Sequence, residues 1–322
     1  MKSTAGELAT YPDQEVEGVF LVLQKDRRAD RTTGKPYLSL QLGDQTGVVD
    51  ARVWEGVEQL PPFEVNDVVR VHGRTQSYRN RLQLSVRSVD PVPPGDVDAG
   101  SFLPHTAYNV EEMFTELTAM VAGMRQSHLR ALVESVLGDD EIAGRFRRAP
   151  AAKTLHHACV GGLLEHVLSL ARLSGRMAEH YPVVNRDLLL AGVVLHDIGK
   201  IYELSYDSAF QYTTPGKLVG HISLGVELVR EKIRTLPGFP AELKLLVEHM
   251  ILSHHGHLEF GSPVLPAFPE ALLLHYLDDL DSKMESMRTT PIAKDDEWTA
   301  RCLSLERNLL RVDRFWNDEE RP

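Results

Sequence analysis

The sequence predicts two domains of different class, a small closed five-stranded β-barrel followed by an all-α domain. Three observations lead there. Residues 16–89 hold five short strand-like runs separated by polar turn sequences. Residues 91–95 (PVPPG) then stop any strand or helix, because clustered proline supplies no amide donors. Beyond that point the apolar positions recur at helical spacing.

Taken in order, residues 16–23 form a β-rich run, and 37–42 and 48–54 alternate across a turn, Gly43-Asp44-Gln45-Thr46-Gly47. Two further strands, 68–72 and 82–89, are linked around Tyr78-Arg79-Asn80-Arg81. No 3.6-residue stripe interrupts them, so short strands closing on themselves are the expected solution. Helices are predicted over 110–121, 128–137, 163–181, 187–195, 221–236, 240–253, 270–287 and 297–315. The domain division read from this pattern is 1–95 for the barrel, 96–149 for a helical connector, 150–290 for the principal helical domain and 291–322 for a C-terminal helical extension.

Composition narrows the class. No apolar run approaches the ~20 residues of a membrane span; the longest, 188–195, meets His196 and Asp197 at once. With two cysteines, Cys159 and Cys302, a disulfide framework is excluded and a cytoplasmic location is expected. The net charge of −11 argues against a nucleic-acid partner, but residues 15–90 carry eleven basic and eleven acidic side chains, so the excess acid lies elsewhere. A neutral barrel with one basic face is compatible with nucleic acid, and an acidic remainder suits metal binding.

The chemistry concentrates in the helical part. His166 lies within one helix, His196-Asp197 end another, His221 opens a third, His254-His255 close a fourth, and Asp278 lies in a fifth beside Asp279 and Asp281. A histidine on a helix is ordinarily a satisfied core or surface residue. An ordered set from five helices, mixing imidazole nitrogen with carboxylate oxygen, instead suits a divalent transition metal in a helical core.

Five stretches make a resemblance specific: PAAKTLHHACVGGLLEH from Pro150, HDIGKIYEL from His196, GKLVGH from Gly216, SHHGHLEFGSP from Ser253 and EALLLHYLDDLDSKM from Glu270. Their ligand order resembles that of HD-domain phosphohydrolases, and the stretches are similar to the YhaM-type 3′–5′ exoribonucleases. The resemblance implies an N-terminal OB-fold and a C-terminal HD domain, which agrees with the β-then-α division. It further implies that His166, His196, Asp197, His221, His254, His255 and Asp278 line a divalent metal site, with Asp281 as a neighbour. Two ions are expected, manganese first, with iron, cobalt or zinc as alternatives. Asp197 is the candidate bridge, since a carboxylate has two oxygens to offer.

Around this set, Lys200 is a candidate to neutralise a phosphate oxygen, or else a solvated lysine. Lys153, His156 and His157 are candidate substrate contacts or structural hydrogen-bonders. Arg148, in a basic cluster with Arg145 and Arg147, is a candidate at the substrate entrance. Phe260 is either a base-stacking residue or a buried anchor. On the barrel, Trp54, Tyr78 and Arg79, with Tyr37, Arg52, Arg74 and Arg81, are candidates for holding a single strand by stacking and charge, although Trp54 could fill the core. The expected activity is hydrolysis of single-stranded RNA from its 3′ end to nucleoside 5′-monophosphates, with single-stranded DNA as an alternative substrate. Rival readings are a phosphodiesterase for cyclic or short oligonucleotides, and a nucleic-acid-binding regulator with a degenerate site. No membrane partner is expected, and self-association is left open.

Overall fold

In a computed structural model the chain divides into two units, one built on residues 1–105 and the other on 106–205 and 210–322. The structure describes all residues except 1–2, 9–12, 31–33, 79–80, 94–95, 98, 154–156, 207–209, 291–296, 300, 303, 311 and 316–322.

The first unit opens with a short helix, α1 (Ala5–Leu8), followed by β1 (Glu15–Ala29), β2 (Pro36–Asp44), β3 (Gly47–Val53), β4 (Val68–Tyr78) and β5 (Arg81–Pro91). The strands close in the order β1-β2-β3-β5-β4, antiparallel except for the β3–β5 pair, which gives the expected OB-fold barrel. Strand β1 extends well past the apolar run that announced it. Its first half pairs with β4 and its second half with β2, and the register shifts between Val22 and Gln24. A bulge there bends one strand across two neighbours. The second half reads Lys25-Asp26-Arg27-Arg28 and lacks a full apolar face, so sequence alternation does not reveal it.

The β2–β3 turn forms as its composition requires: Asp44 Oδ1 accepts from the Thr46 backbone N–H at 2.8 Å and from its hydroxyl. The other oxygen, Oδ2, accepts the Ala5 N–H at 2.8 Å, pinning α1 to the barrel. Phe20, Leu40, Leu42, Ala51, Val71 and Leu84 fill the interior.

The second unit contains α2 (Val110–Ala122), α3 (Ser127–Leu137), α4 (Asp140–Arg148), α5 (Gly162–His180), α6 (Arg186–Leu195), α7 (Lys200–Glu203), a hairpin of β6 (Leu204–Ser205) and β7 (Gln211–Tyr212), then α8 (Thr214–Leu218), α9 (Gly220–Arg234), α10 (Ala241–Ser253) and α11 (Pro269–Thr289). Side-chain oxygens at Asn109, Asp139 and Asn185 cap α2, α4 and α6 by accepting their first free N–H groups. Helices α4, α7 and α8 are too short to show a period, and the sequence did not reveal them. The basic cluster lies in the last turn of α4, where Arg145 pairs with Glu141 at 3.0 Å and Arg147 with Glu111 at 3.4 Å.

The expected helix over 297–315 is not formed. Trp298 pairs with Leu310 and Cys302 with Arg307 in antiparallel bridges, and a short 3₁₀ turn follows at Val312–Phe315. Apolar residues at 298, 302, 305, 309 and 312 imitate helical spacing. The Thr299 N–H instead donates to the Leu309 carbonyl, and its hydroxyl accepts the Leu309 N–H, both at 2.8 Å. No helix among the described residues is long and apolar enough to cross a membrane.

Candidate metal centre

Five helices of the second unit deliver the polar centre. Helix α5 carries His166; His196 and Asp197 follow the last turn of α6; His221 is the second residue of α9; His254 and His255 follow α10; Asp278 and Asp281 lie on α11. Two of these placements share one local device. Each helix leaves its last carbonyls without intrahelical partners. His196 Nδ1 donates to Val193 O at 2.8 Å and His254 Nδ1 to Ile251 O at 2.7 Å, each three residues back. The ring is thereby locked against its own helix end. Both helix C-termini also turn their partial negative charge toward the centre, which favours a cation.

The histidine tautomers follow from these bonds. His221 Nδ1 meets Glu203 Oε1 at 3.0 Å, and His255 Nδ1 donates to Phe260 O at 2.7 Å. With the proton on Nδ1, the Nε2 lone pairs of all four rings are available. Those of His196, His221 and His254 are buried without any hydrogen-bond partner, and so is Asp197 Oδ1. They converge on one carboxylate. His221 Nε2 lies 3.5 Å and His254 Nε2 3.6 Å from Asp197 Oδ1, while His196 Nε2 lies 3.4 Å from Asp197 Oδ2. Lone pair facing carboxylate oxygen at these distances is repulsive unless a cation stands between them. The donor set therefore fits a divalent metal, nitrogen and oxygen mixed.

Asp197 also divides the centre. Its Oδ2 faces His196 and, at 3.9 Å, His166 Nε2, which in turn lies 3.2 Å from Asp278 Oδ1. The other half gathers His221, His254 and His255, whose ring nitrogens lie within 4.8 Å of one another. Behind His166, Asp281 Oδ2 binds His166 Nδ1 at 2.8 Å and His157 Nε2 at 3.2 Å, and Ser169 donates to its other oxygen.

Burial opposes charge in this interior, yet the carboxylates remain ionised. Desolvation would raise Asp197, but Lys200, His196 and His221 hold it well below the usual range. Asp278 and Asp281 are lowered likewise, against burial, by His166 and by His157 with His166 respectively. Burial would lower His166, but the hydrogen bonds it donates to Asp278 and Asp281 push it up to about 9. His254 moves well below its ordinary value through burial and the neighbouring His196.

The structure brings together His166, His196, Asp197, His221, His254, His255 and Asp278. It also brings in Lys200, whose ammonium is 2.6 Å from Asp197 Oδ2. His157 is buried one layer behind, against Asp281 and Glu165. Lys153 and Arg148 are exposed. The Phe260 ring is 64 % exposed, so it is not a buried anchor. In the barrel, Trp54 is 38 % exposed and stacks on Tyr37 with ring centroids 4.8 Å apart, which removes the core-filling alternative. His156 and Arg79 lie outside the described residues, as does the side chain of Tyr78. Burial and then Glu165 push the Cys159 thiol up to about 12, against the thiolate that nucleophilic chemistry needs.

Two contributors were missed from sequence, Glu203 and Gly199. Glu203 lay unremarked at the end of HDIGKIYEL, its signal being one carboxylate in an otherwise apolar turn. At Gly199 an added Cβ would come within 2.0 Å of His221 O and 2.6 Å of Gly225 N, both backbone atoms of α9. Gly199→Ala is expected to cost about 1–3 kcal/mol by overpacking and to displace His221. Urea denaturation of wild type and variant checks this; equal midpoints would contradict the close approach.

Comparison with known proteins agrees with both units. Residues 163–283 match the HD domain family, and residues 21–92 match the family described as OB-fold nucleic acid binding domain. Among curated proteins the chain is similar to 3′-5′ exoribonuclease YhaM of Listeria innocua, 36 % identical over 302 residues, covering 93 % of this chain and 96 % of the relative. The YhaM proteins of a Geobacillus strain and of Bacillus subtilis are each 36 % identical as well. They cover 92 % and 89 % of this chain and 91 % of each relative.

Proposed function

The chain belongs to the family of the 3′-5′ exoribonuclease YhaM, and from that membership we propose that it hydrolyses single-stranded RNA from the 3′ end to nucleoside 5′-monophosphates. The observation that carries the reading is the convergence of three unpartnered Nε2 atoms and one unpartnered carboxylate oxygen on Asp197. Unpartnered imidazole lone pairs turned toward an ionised carboxylate are unfavourable in a buried site, and a divalent cation among them would turn those atoms into ligands. We assign two divalent ions, manganese first and iron, cobalt or zinc as alternatives, with Asp197 bridging. His166, His196 and Asp278 would hold one, and His221, His254 and His255 the other.

A divalent cation so held lowers the pKa of water and offsets phosphate charge. The protein's own groups do the rest. Fixed Nδ1–H bonds keep the ligand lone pairs in place, and Lys200, paired with Asp197, would offset charge on a phosphate oxygen brought to that carboxylate. No side-chain nucleophile is required. His157, Lys153, Arg148 and Phe260 are retained as candidate substrate contacts.

The barrel's part is retention of the strand. A base can stack on the exposed Trp54, itself backed by the half-buried Tyr37, without sequence preference, and binding there raises the effective concentration of the 3′ end for a tethered active site. Trp54→Ala is expected to weaken single-strand binding by about 1–3 kcal/mol, read as a KM increase of roughly 5- to 150-fold with kcat preserved. An unchanged KM would remove Trp54 from the binding surface. Cytoplasmic location belongs to the same reading, and self-association remains compatible with it.

The deciding experiment is a manganese-dependent time course on 5′-labelled single-stranded RNA, matched DNA and RNA with a blocked 3′ end. A descending ladder on free-ended RNA is expected, with DNA ranked by its rate. Intact long RNA together with cleaved dinucleotides or cyclic nucleotides would transfer the assignment to a small-molecule phosphodiesterase. No cleavage of any substrate would favour a nucleic-acid-binding regulator.

A further inference from the structure

We propose that Glu203 is a positioning residue that sets the affinity of the cation in the His221–His254–His255 half of the centre; this rests on the metal-dependent reading above. The contrast among the ligand histidines motivates it. His196 and His254 stand after helix C-termini and use the free carbonyls of their own last turns, Val193 O and Ile251 O, to orient their rings. His221 stands at the opposite end of its helix. It is the second residue of α9 and follows Gly220 in the left-handed region at φ 77°. A helix N-terminus presents N–H groups, not carbonyls. The ring therefore has no local acceptor, and one must come from another element.

Glu203, the last residue of α7, supplies it. Its Oε1 accepts both the backbone N–H of His221 at 2.9 Å and the ring Nδ1–H at 3.0 Å. One oxygen thus fixes where α9 starts and which ring nitrogen carries the proton. Nε2 is left free, 3.5 Å from Asp197 Oδ1. An ionised partner behind a ligand imidazole also raises the basicity of its far nitrogen.

Glu203 is itself held. Its carbonyl accepts from the Thr213 N–H at 2.9 Å and the Thr213 hydroxyl at 3.2 Å. Gly216 packs so tightly against it that an added Cβ would lie 2.2 Å from Glu203 O. The glycines of GKLVGH thereby acquire separate reasons, Gly216 for close approach to Glu203 and Gly220 for its dihedral. Thr213, Gly216 and Gly220 together brace Glu203 and His221.

A purely structural role would be capping of α9, and the test separates the two. Full-length wild type, Glu203→Gln and Glu203→Ala, stripped with chelator, are titrated with manganese, and free ion is counted by electron paramagnetic resonance. Circular dichroism is recorded alongside. Wild type is expected to bind two ions. In Glu203→Ala one ion is expected to weaken about 10–100-fold while the other is unchanged. Glu203→Gln keeps the acceptor oxygen but not the charge, so its weakened site is expected to fall between the two. If Glu203→Ala fails to fold, the isosteric Glu203→Gln decides alone. Two wild-type affinities in the variants, or equal weakening of both ions, would overturn the proposal. A wild-type chain that binds no manganese would instead overturn the metal-dependent reading, and this proposal with it.

Discussion

Asp197→Asn is expected to lower RNA hydrolysis by about 10³-fold or more, since losing the carboxylate proposed to bridge the two ions would forfeit several kcal/mol of transition-state stabilisation. Of the seven assigned ligands, Asp197 is the one with an oxygen turned to each half of the centre, Oδ2 toward His166 and His196 and Oδ1 toward His221 and His254. An amide keeps the volume but offers a single weak acceptor, so at most one half can remain competent. A second consequence follows from Lys200. Its side chain is 15 % exposed, and its ammonium loses the carboxylate it meets at 2.6 Å. Removing one partner of a buried pair costs about 3–5 kcal/mol, because the other charge is left uncompensated. The metal-stripped variant should therefore be less stable than metal-stripped wild type, as well as inactive. Single-turnover hydrolysis, metal content and denaturant midpoints of folded protein read the three effects. Activity within tenfold of wild type would remove Asp197 from the reaction.

The architecture was legible because each unit is long relative to its signal. Five short strand-like runs and a proline boundary imply a barrel, and helices such as α5 and α11 show their period over several turns. Short elements were not legible. In four or five residues, α7 and α8 cannot repeat a 3.6-residue pattern, although they carry Lys200, Glu203 and the brace for His221. The 297–315 region failed for the opposite reason, as helical spacing was present without a helix to use it. A bridged turn around Thr299 satisfies the backbone there, and spacing alone does not report backbone hydrogen bonds. At the site, residue types and order indicated which side chains meet. Tautomer and orientation depend on partners such as Val193 O and Ile251 O, which any residue can supply, so no side-chain signature marks them.

Those same unpartnered atoms imply a large effect on stability. Without a cation the folded chain carries buried lone pairs and carboxylate oxygen facing one another; with one, they become ligands. A metal at about 100 times its Kd stabilises a folded state by about 2.7 kcal/mol per site. At about 2–4 °C per kcal/mol for a domain near 200 residues, manganese filling both sites is expected to raise Tm of the helical unit by about 10–20 °C over chelated protein. The sign of the pH dependence can be worked out. His166 has its pKa raised to about 9 from an ordinary 6.5 by Asp278 and Asp281, against burial. In the chelated protein, stability from that proton is fully present below the ordinary value and is lost as pH rises through about 9. Metal binding must displace the proton from Nε2, so it strengthens over the same window. The manganese-induced increment in Tm should therefore grow from pH 6 to pH 8, while chelated protein alone loses stability as pH approaches 9. Calorimetry of chelated and manganese-loaded protein at several pH values measures both trends. A Tm unmoved by manganese at every pH would mean that the convergence on Asp197 does not hold a cation.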